Sequence, residues 1–316
     1  MTNFLVSPTI QYRGGKADPY TFPLSEWIQQ GASKADLSII GVPLSKSSIT
    51  FSGAHTHPES FRKLWSSFQA YNWDEDVELN KLQAADFGDV AMHVTDILQC
   101  HRNIAGSAEY LWREYPSTTG VFIGGDHSIT YPIIAGLARA TSKRIGLIHF
   151  DAHLDVRDTK YGGPSNGTPM RSLLEKGVLR GEDMVTIGLR SFANSKPYRS
   201  YAEEKGMTLF SSNDVKKKGM QPIVEWAKDY LEEKVDIVYL TYDIDVLDQC
   251  YVPGVPAIGP SGVSPDELFW SAQYLGQWSK VVGMDMVCVD PTRDVRDMSS
   301  RVALHVFLNF ATGRCL

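Results

Sequence analysis

Seven short, nearly all-apolar runs separated by longer amphipathic stretches constrain this chain more than any other feature. They are DLSIIGV (36–42), LQAAD (82–86), GVFIGG (120–125), RIGLIHF (144–150), MVTIGL (184–189), VDIVYLTYD (235–243) and KVVGMDMVCV (280–289). Between them lie helical patterns, including PESFRKLWSSF, TDILQCHRNIAGSAEYLWREY, TYPIIAGLARA, PIVEWAKDYLEE and SPDELFWSAQYL. A strand that is apolar on both faces must be covered on both, and helices between successive strands supply that cover in a parallel sheet. The predicted fold class is α/β with a central parallel sheet. No internal repeat, low-complexity segment or long linker interrupts it, so one domain over residues 1–316 is expected.

Charge and composition narrow the function classes. A hydrophobic content of 43% with 22% charged residues suits a globular protein with a large core. The net charge of −6, without a basic tail or stripe, argues against nucleic acid as a partner and for a small molecule. The one basic run, Lys216–Lys217–Lys218, reads as a solvated turn before a helix. No segment approaches the run of about 20 apolar residues that spans a bilayer. MTNFLVSPTIQYRGG lacks a basic-then-apolar leader pattern. Cys100, Cys250, Cys288 and Cys315 are widely spaced and form no CxxC pair, which speaks against a disulfide framework or a structural zinc site. A cytoplasmic location is expected.

Three polar clusters interrupt the pattern where strands should end: GGDHS (124–128), DAHLDVRD (151–158) and DIDVLD (243–248). In open parallel sheets, ligands bind beyond the carboxyl ends of strands, so the three would converge on one site. Within DAHLD, extended geometry puts Asp151, His153 and Asp155 on one side. Such a group strands its charge without a cation; a merely solvated turn is supplied only later, by VRDTKYGG. Asp243 and Asp245 repeat the logic after VDIVYLTY, because buried carboxylates are costly unless paired or metal-bound. Asp248 capping a following helix would explain one of those aspartates but not three. In GGDHS, Asp126 or Ser128 could simply cap the next helix; beside the other two clusters, His127 becomes a candidate ligand.

His127, Asp151, His153, Asp155, Asp243 and Asp245 are too many ligands for one catalytic ion, and they suit two ions sharing bridging carboxylates. An oxygen-rich set without thiolates favours Mn²⁺ and leaves Zn²⁺, Ni²⁺ or Fe²⁺ open. The residues by themselves read as a binuclear metallohydrolase.

These motifs, in this order, resemble the ureohydrolases: arginase, agmatinase and formimidoylglutamase. GVPLSKSSITFSGAHTHPESFR (41–62) and DFGDV (86–90) are similar to further elements of that family. The resemblance implies a three-layer α/β/α arginase-like fold, usually assembled as homo-oligomeric trimers or hexamers, and two Mn²⁺ ions. It implies that His127, Asp151, Asp155 and Asp243 hold one ion. His153, Asp151, Asp243 and Asp245 would hold the other. A hydroxide bridging the ions would attack the C=N carbon of an amidine-like group, with Asp155 passing its proton to the leaving nitrogen.

Within the family, SNGTP followed by R-S-L-L is similar to formimidoylglutamases, as are DIDVLDQ and PGVPAIGP. Arginases and agmatinases carry a shuttle histidine where this chain has Asn166. The expected reaction is hydrolysis of N-formimino-L-glutamate, in histidine degradation. Its carboxylates call for local cations: Arg157 is the first candidate and Arg190 the second, each otherwise a surface ion pair. Cys288 stands where the family usually has a glutamate that holds cationic substrate nitrogens, and Asp290 lies two residues along. His149 reads either as support for the ligand cluster or as a core histidine bonded to backbone. His55, His57, His93, His101 and His305 have no ligand-like context. The aromatic residues of VEWAKDYL and LFWSAQYL read as core or interface. Two other readings stand beside this one: an agmatinase-like or other guanidino-acid hydrolase, and an inactive metal-binding member of the fold.

Overall fold

All seven apolar runs form strands, and they join a single sheet. In the computed structural model, residues 5–6 and 18–316 are described. The segment MTNFLVSPTIQYRGG, with its leader reading, lies almost wholly outside them. The strands are β1 (Leu5–Val6), β2 (Ile28–Gln30), β3 (Leu37–Val42), β4 (Tyr71–Asn72), β5 (Val77–Glu78), β6 (Ala84–Val90), β7 (Thr119–Gly124), β8 (Ile145–Phe150), β9 (Met184–Leu189), β10 (Thr208–Ser211), β11 (Ile237–Asp243) and β12 (Val281–Val287). The main sheet runs β1-β6-β3-β7-β12-β11-β8-β9-β10, with β2 also on β6. Among the described residues its strands are parallel except β1, which pairs antiparallel with β6 at the edge. β4 and β5 form a separate small hairpin.

The two faces of the sheet carry separate apolar layers. On one face Ile148, Phe150, Leu240 and Tyr242 pack with Val224, Leu268, Phe307 and Phe310 from the helices Met220–Glu232, Pro265–Gly276 and Met298–Cys315. On the other, Ile145, Leu147, Phe122 and Tyr239 pack with Ile104, Leu111 and Ile133 from the helices Ile97–Glu114 and Thr130–Ala140. The result is a three-layer α/β/α arrangement. Among the described residues, no helix is long and apolar enough to cross a membrane.

Two local readings are revised. Lys216–Lys218 are not a turn before a helix; they form the exposed last turn of the helix Ser212–Lys218, where cations complement the helix dipole. Asp248 caps no following helix: its carboxylate accepts from Cys250 N at 3.1 Å and Ser261 N at 2.6 Å, closing a loop.

The motif at 41–62 and DFGDV meet in a buried ion cluster. Arg62 donates to both carboxylate oxygens of Asp86 at 2.8 Å and to Asp89 Oδ1 at 2.7 Å. Gly41 is required there, since a Cβ would collide with the Asp89 carboxylate. The cluster ties the helix His57–Lys63 to β6 and leaves the next loop, 44–53, to border the site.

Candidate metal centre

β7, β12, β11 and β8 are adjacent in the sheet, so the segments leaving their carboxyl ends meet in space. Those segments carry His127, Cys288, Asp243 with Asp245, and Asp151 through Asp155. The structure brings together all six residues singled out as ligands.

His127 opens a 3-10 turn that Asp126 caps by accepting from Ser128 N, so cap and ligand roles fall to neighbouring residues. The His127 imidazole is fully buried, with Nδ1 2.9 Å from Asp155 Oδ2, 3.0 Å from Asp151 Oδ2 and 3.2 Å from Asp243 Oδ2. That nitrogen nonetheless makes no hydrogen bond of acceptable geometry. A buried ring nitrogen facing three carboxylate oxygens, none aligned to receive its proton, has the donor set of a cation site. His153 Nδ1 lies 3.1 Å from Asp245 Oδ2 and 3.2 Å from Asp151 Oδ1. Asp151 therefore faces both histidines, as a bridging carboxylate would. One compact group of potential ligand atoms comprises His127, His149 and Asp151, and another comprises Asp151, His153 and Asp245.

The electrostatics describe a site short of positive charge. Burial, then the charges of Asp245 and Asp151, push the Asp243 carboxyl up to about 8. Burial and Asp151 also raise Asp155. Burial opposes ionisation of Asp151, yet His149, His127 and His153 together hold it well below the usual carboxylate range. Asp245 foremost, then Asp151, pushes the His153 imidazole up to about 12. Burial would lower His127, but Asp151, Asp155 and Asp243 hold it well above its ordinary value. Without cations the cluster retains protons in their place, so the residues present fit a bound metal pair.

His149 is bonded to side chains, not to backbone. Its Nε2 is 2.8 Å from Asp151 Oδ2 and its Nδ1 3.2 Å from Thr186 Oγ1, so it orients a carboxylate of the cluster. Thr241, Asp285 and Asn194 went unnoticed in the sequence. Thr241 Oγ1 lies 3.1 Å from His127 Nε2. The Asn194 amide bonds the backbone at Ala152 and Leu154. Only spatial proximity identifies these three.

A cavity of about 420 Å³ opens over the cluster, bordered by His153, Asp155, Arg157, Asn166, Tyr198 and Cys288 among others. Arg157 is exposed there, and its guanidinium carbon is 5.9 Å from the centre of the Tyr198 ring. Asn166 accepts from Ile49 N at 2.9 Å, joining the two loops that frame the entrance. Arg190 lines an adjoining cavity that shares His153, Phe192, Ala193 and Ala257 with this one. It is buried, donates to Ala257 O at 3.1 Å and does not border this cavity; its Nε and Nη1 are sealed from solvent. Asp290 is also committed elsewhere, accepting from Gly53 N at 2.8 Å and from Thr292. Cys288 borders the cavity, and burial, then Asp243 and Asp245, raises its thiol well above the ordinary range. It presents a neutral group, not a carboxylate.

Residues 35–313 match the sequence profile of the arginase family. Formimidoylglutamase of Halalkalibacterium halodurans is 46% identical over 278 residues, covering 88% of this chain and 87% of that protein. The crystal structure of Bacillus subtilis formimidoylglutamase superposes with a TM-score of 0.92 at 36% identity, covering 99% of this chain and 97% of that one. Trypanosoma cruzi formiminoglutamase, solved with a pair of Mn²⁺ ions, superposes with a TM-score of 0.85 at 25% identity, covering 93% and 99%. The chain belongs to the arginase family.

Proposed function

We propose that this chain is a metal-dependent hydrolase that converts N-formimino-L-glutamate to L-glutamate and formamide, with a pair of Mn²⁺ ions as cofactor. The observation that carries the reading is His127 Nδ1, buried among three carboxylates without a hydrogen bond, in a chain 46% identical to a formimidoylglutamase. His127, Asp151, Asp155 and Asp243 would hold one ion. His153, Asp151, Asp243 and Asp245 would hold the other. When bound, the ions supply a water-derived nucleophile at neutral pH and polarise the substrate.

In the reaction, water adds to the formimino carbon. The bond from that carbon to the glutamate nitrogen then breaks, and the nitrogen leaves as an amine after taking a proton. Asp155, which borders the cavity beside the cluster, is positioned to carry that proton. Half-exposed His153 faces the same reacting end from the cavity wall.

Arg157 is the one arginine or lysine among the described residues that border the cavity, and it has no ion-pair partner among them. We assign it to a substrate carboxylate, with Asn166 holding the adjoining loop. Arg190 acts indirectly, by supporting the wall at Ala257. The chain is taken as one domain because its nine parallel strands share one sheet. We further propose a cytoplasmic homo-oligomer, trimer or hexamer, working in histidine degradation. Support comes from the family resemblance and from four cysteines that are all free.

The test is turnover of Mn²⁺-loaded protein on N-formimino-L-glutamate, arginine, agmatine and guanidinobutyrate. Glutamate and formamide from the first alone is the expected result; urea from any of the others would overturn it.

A further inference from the structure

We propose that Asn194 is a positioning residue that sets the seat of one metal ion, by clamping the backbone on both sides of His153; this rests on the metal-pair reading above. The parallel ladder between β8 and β9 continues past the ends of both strands. Asp151 N donates to Ile187 O at 3.1 Å, and Arg190 N donates to Ala152 O at 3.0 Å. The chain leaving β9 then turns away. Phe192 adopts a left-handed conformation with φ of 66°, unusual for a bulky residue, and Ala193 N donates to Arg190 O at 3.4 Å. That turn brings Asn194 back to the ladder it has just left.

The Asn194 side chain supplies the next rung. Its Nδ2 donates to Ala152 O at 2.9 Å, and its Oδ1 accepts from Leu154 N at 2.8 Å. A carboxamide carries the same donor and acceptor as a peptide unit, and only one orientation of it satisfies both partners. His153 is the residue between the two gripped positions.

The grip falls on the less constrained of the two histidines. His127 is fully buried, with its far nitrogen against Thr241. His153 has a side chain 28% exposed, and its ring faces only Asp151 and Asp245. Those carboxylates also hold the backbone on its N-terminal side, Asp151 Oδ1 accepting from His153 N at 2.5 Å and Asp245 Oδ1 from Ala152 N at 3.3 Å, whereas Leu154 N on the other side is held by Asn194. Loss of the Asn194 rung releases Leu154 N and one of the two donors to Ala152 O, loosening the segment that carries His153 while leaving the His127 side intact. The ion held by His153 and Asp245 therefore loosens selectively. Outer partners of this kind typically control roughly tenfold to a hundredfold in metal affinity.

The experiment compares Mn²⁺-loaded wild type with Asn194→Ala and Asn194→Gln, the second keeping the amide but displacing it by one methylene. Metal content per chain, Mn²⁺ dissociation and the electron paramagnetic resonance spectrum are read for each. Wild type is expected to hold two ions with an exchange-coupled signal. Both variants should keep one ion, bind the second roughly tenfold to a hundredfold more weakly, and shift toward the signal of isolated Mn²⁺. If Asn194→Ala does not fold, Asn194→Gln alone decides the matter. A coupled pair of unchanged affinity in a folded variant overturns the role of Asn194 while the metal-pair reading stands. A wild type without a coupled pair overturns both.

Discussion

Asp285 accepts the hydroxyl of Thr241 at 2.5 Å, and the oxygen of that hydroxyl lies 3.1 Å from His127 Nε2. Thr130 and Tyr239 also donate to Asp285, so this buried carboxylate is surrounded by hydroxyls. With the Thr241 proton directed to Asp285, its oxygen is left to accept from His127. That arrangement puts the imidazole proton on Nε2 and leaves Nδ1 with its lone pair toward Asp151, Asp155 and Asp243. Thr241→Val should therefore weaken Mn²⁺ binding by roughly tenfold or more, measured by competition with a chelator. Unchanged affinity would dispose of the relay.

Asp243 ends β11 and faces His127 while accepting from Asp245 N at 2.9 Å. In the proposed ligand set it is shared by both ions, so its removal should affect each. Asp243→Ala is expected to lose Mn²⁺ loading and turnover together, by metal analysis and formamide release on the same sample. A variant that retains two ions would contradict the bridging assignment.

Arg157 should bind substrate without taking part in bond breaking. A hydrogen bond between charged groups contributes about 1.5–3 kcal/mol, equivalent to roughly tenfold to a hundredfold in affinity. Arg157→Ala should raise KM for N-formimino-L-glutamate by that factor and leave kcat nearly unchanged. An unaltered KM would refute its role.

The cluster of Arg62, Asp86 and Asp89 predicts a stability effect away from the metal. Arg62 is almost fully buried, and its removal strands the Asp86 carboxylate in the core. Arg62→Met should destabilise the fold by about 3–5 kcal/mol, seen as a lower midpoint in urea. A loss below about 1 kcal/mol, the range of exposed pairs, would mean that water reaches Asp86.

His57 and His101 predict a pH dependence of folding. Burial lowers each from an ordinary value of 6.5 to about 4. Above 6.5 both are neutral in folded and unfolded chains, and their contribution is complete. As pH falls from 6.5 toward 4 the unfolded chain takes up protons first, so stability is lost across that window. Tm of the metal-free protein should fall over this range, and His101→Gln should make the fall shallower. An equal slope in that variant would remove His101 from the account.

The sheet and the candidate ligands are legible in residue order alone. Runs such as Ile145–Phe150 are apolar at every position because both faces of a central parallel strand are covered, and that composition is visible without coordinates. Asp151, His153, Asp243 and Asp245 stood out for the complementary reason: titratable groups directly after such runs must be compensated. Weaker local signals hid the rest. β10 is a half-buried edge strand of four residues. The helix Met298–Cys315 is buried on too many sides to show one apolar stripe.

How the candidate ligands are held, and which arginine borders the cavity over them, follows only from the folded chain. Asn194 and Asp285 lie 41 and 40 residues from His153 and Asp245 in the chain, and nothing in their neighbours marks them. They act through hydrogen bonds whose partners become neighbours only when β8, β9, β11 and β12 align. In the sequence, Arg157 ranks ahead of Arg190 only because it stands two residues from a candidate ligand. The loop from Asp151 leaves Arg157 exposed to the cavity, while the end of β9 turns Arg190 beneath Ala257. Residue type shows where charge needs a partner; backbone direction decides whether that partner is within reach.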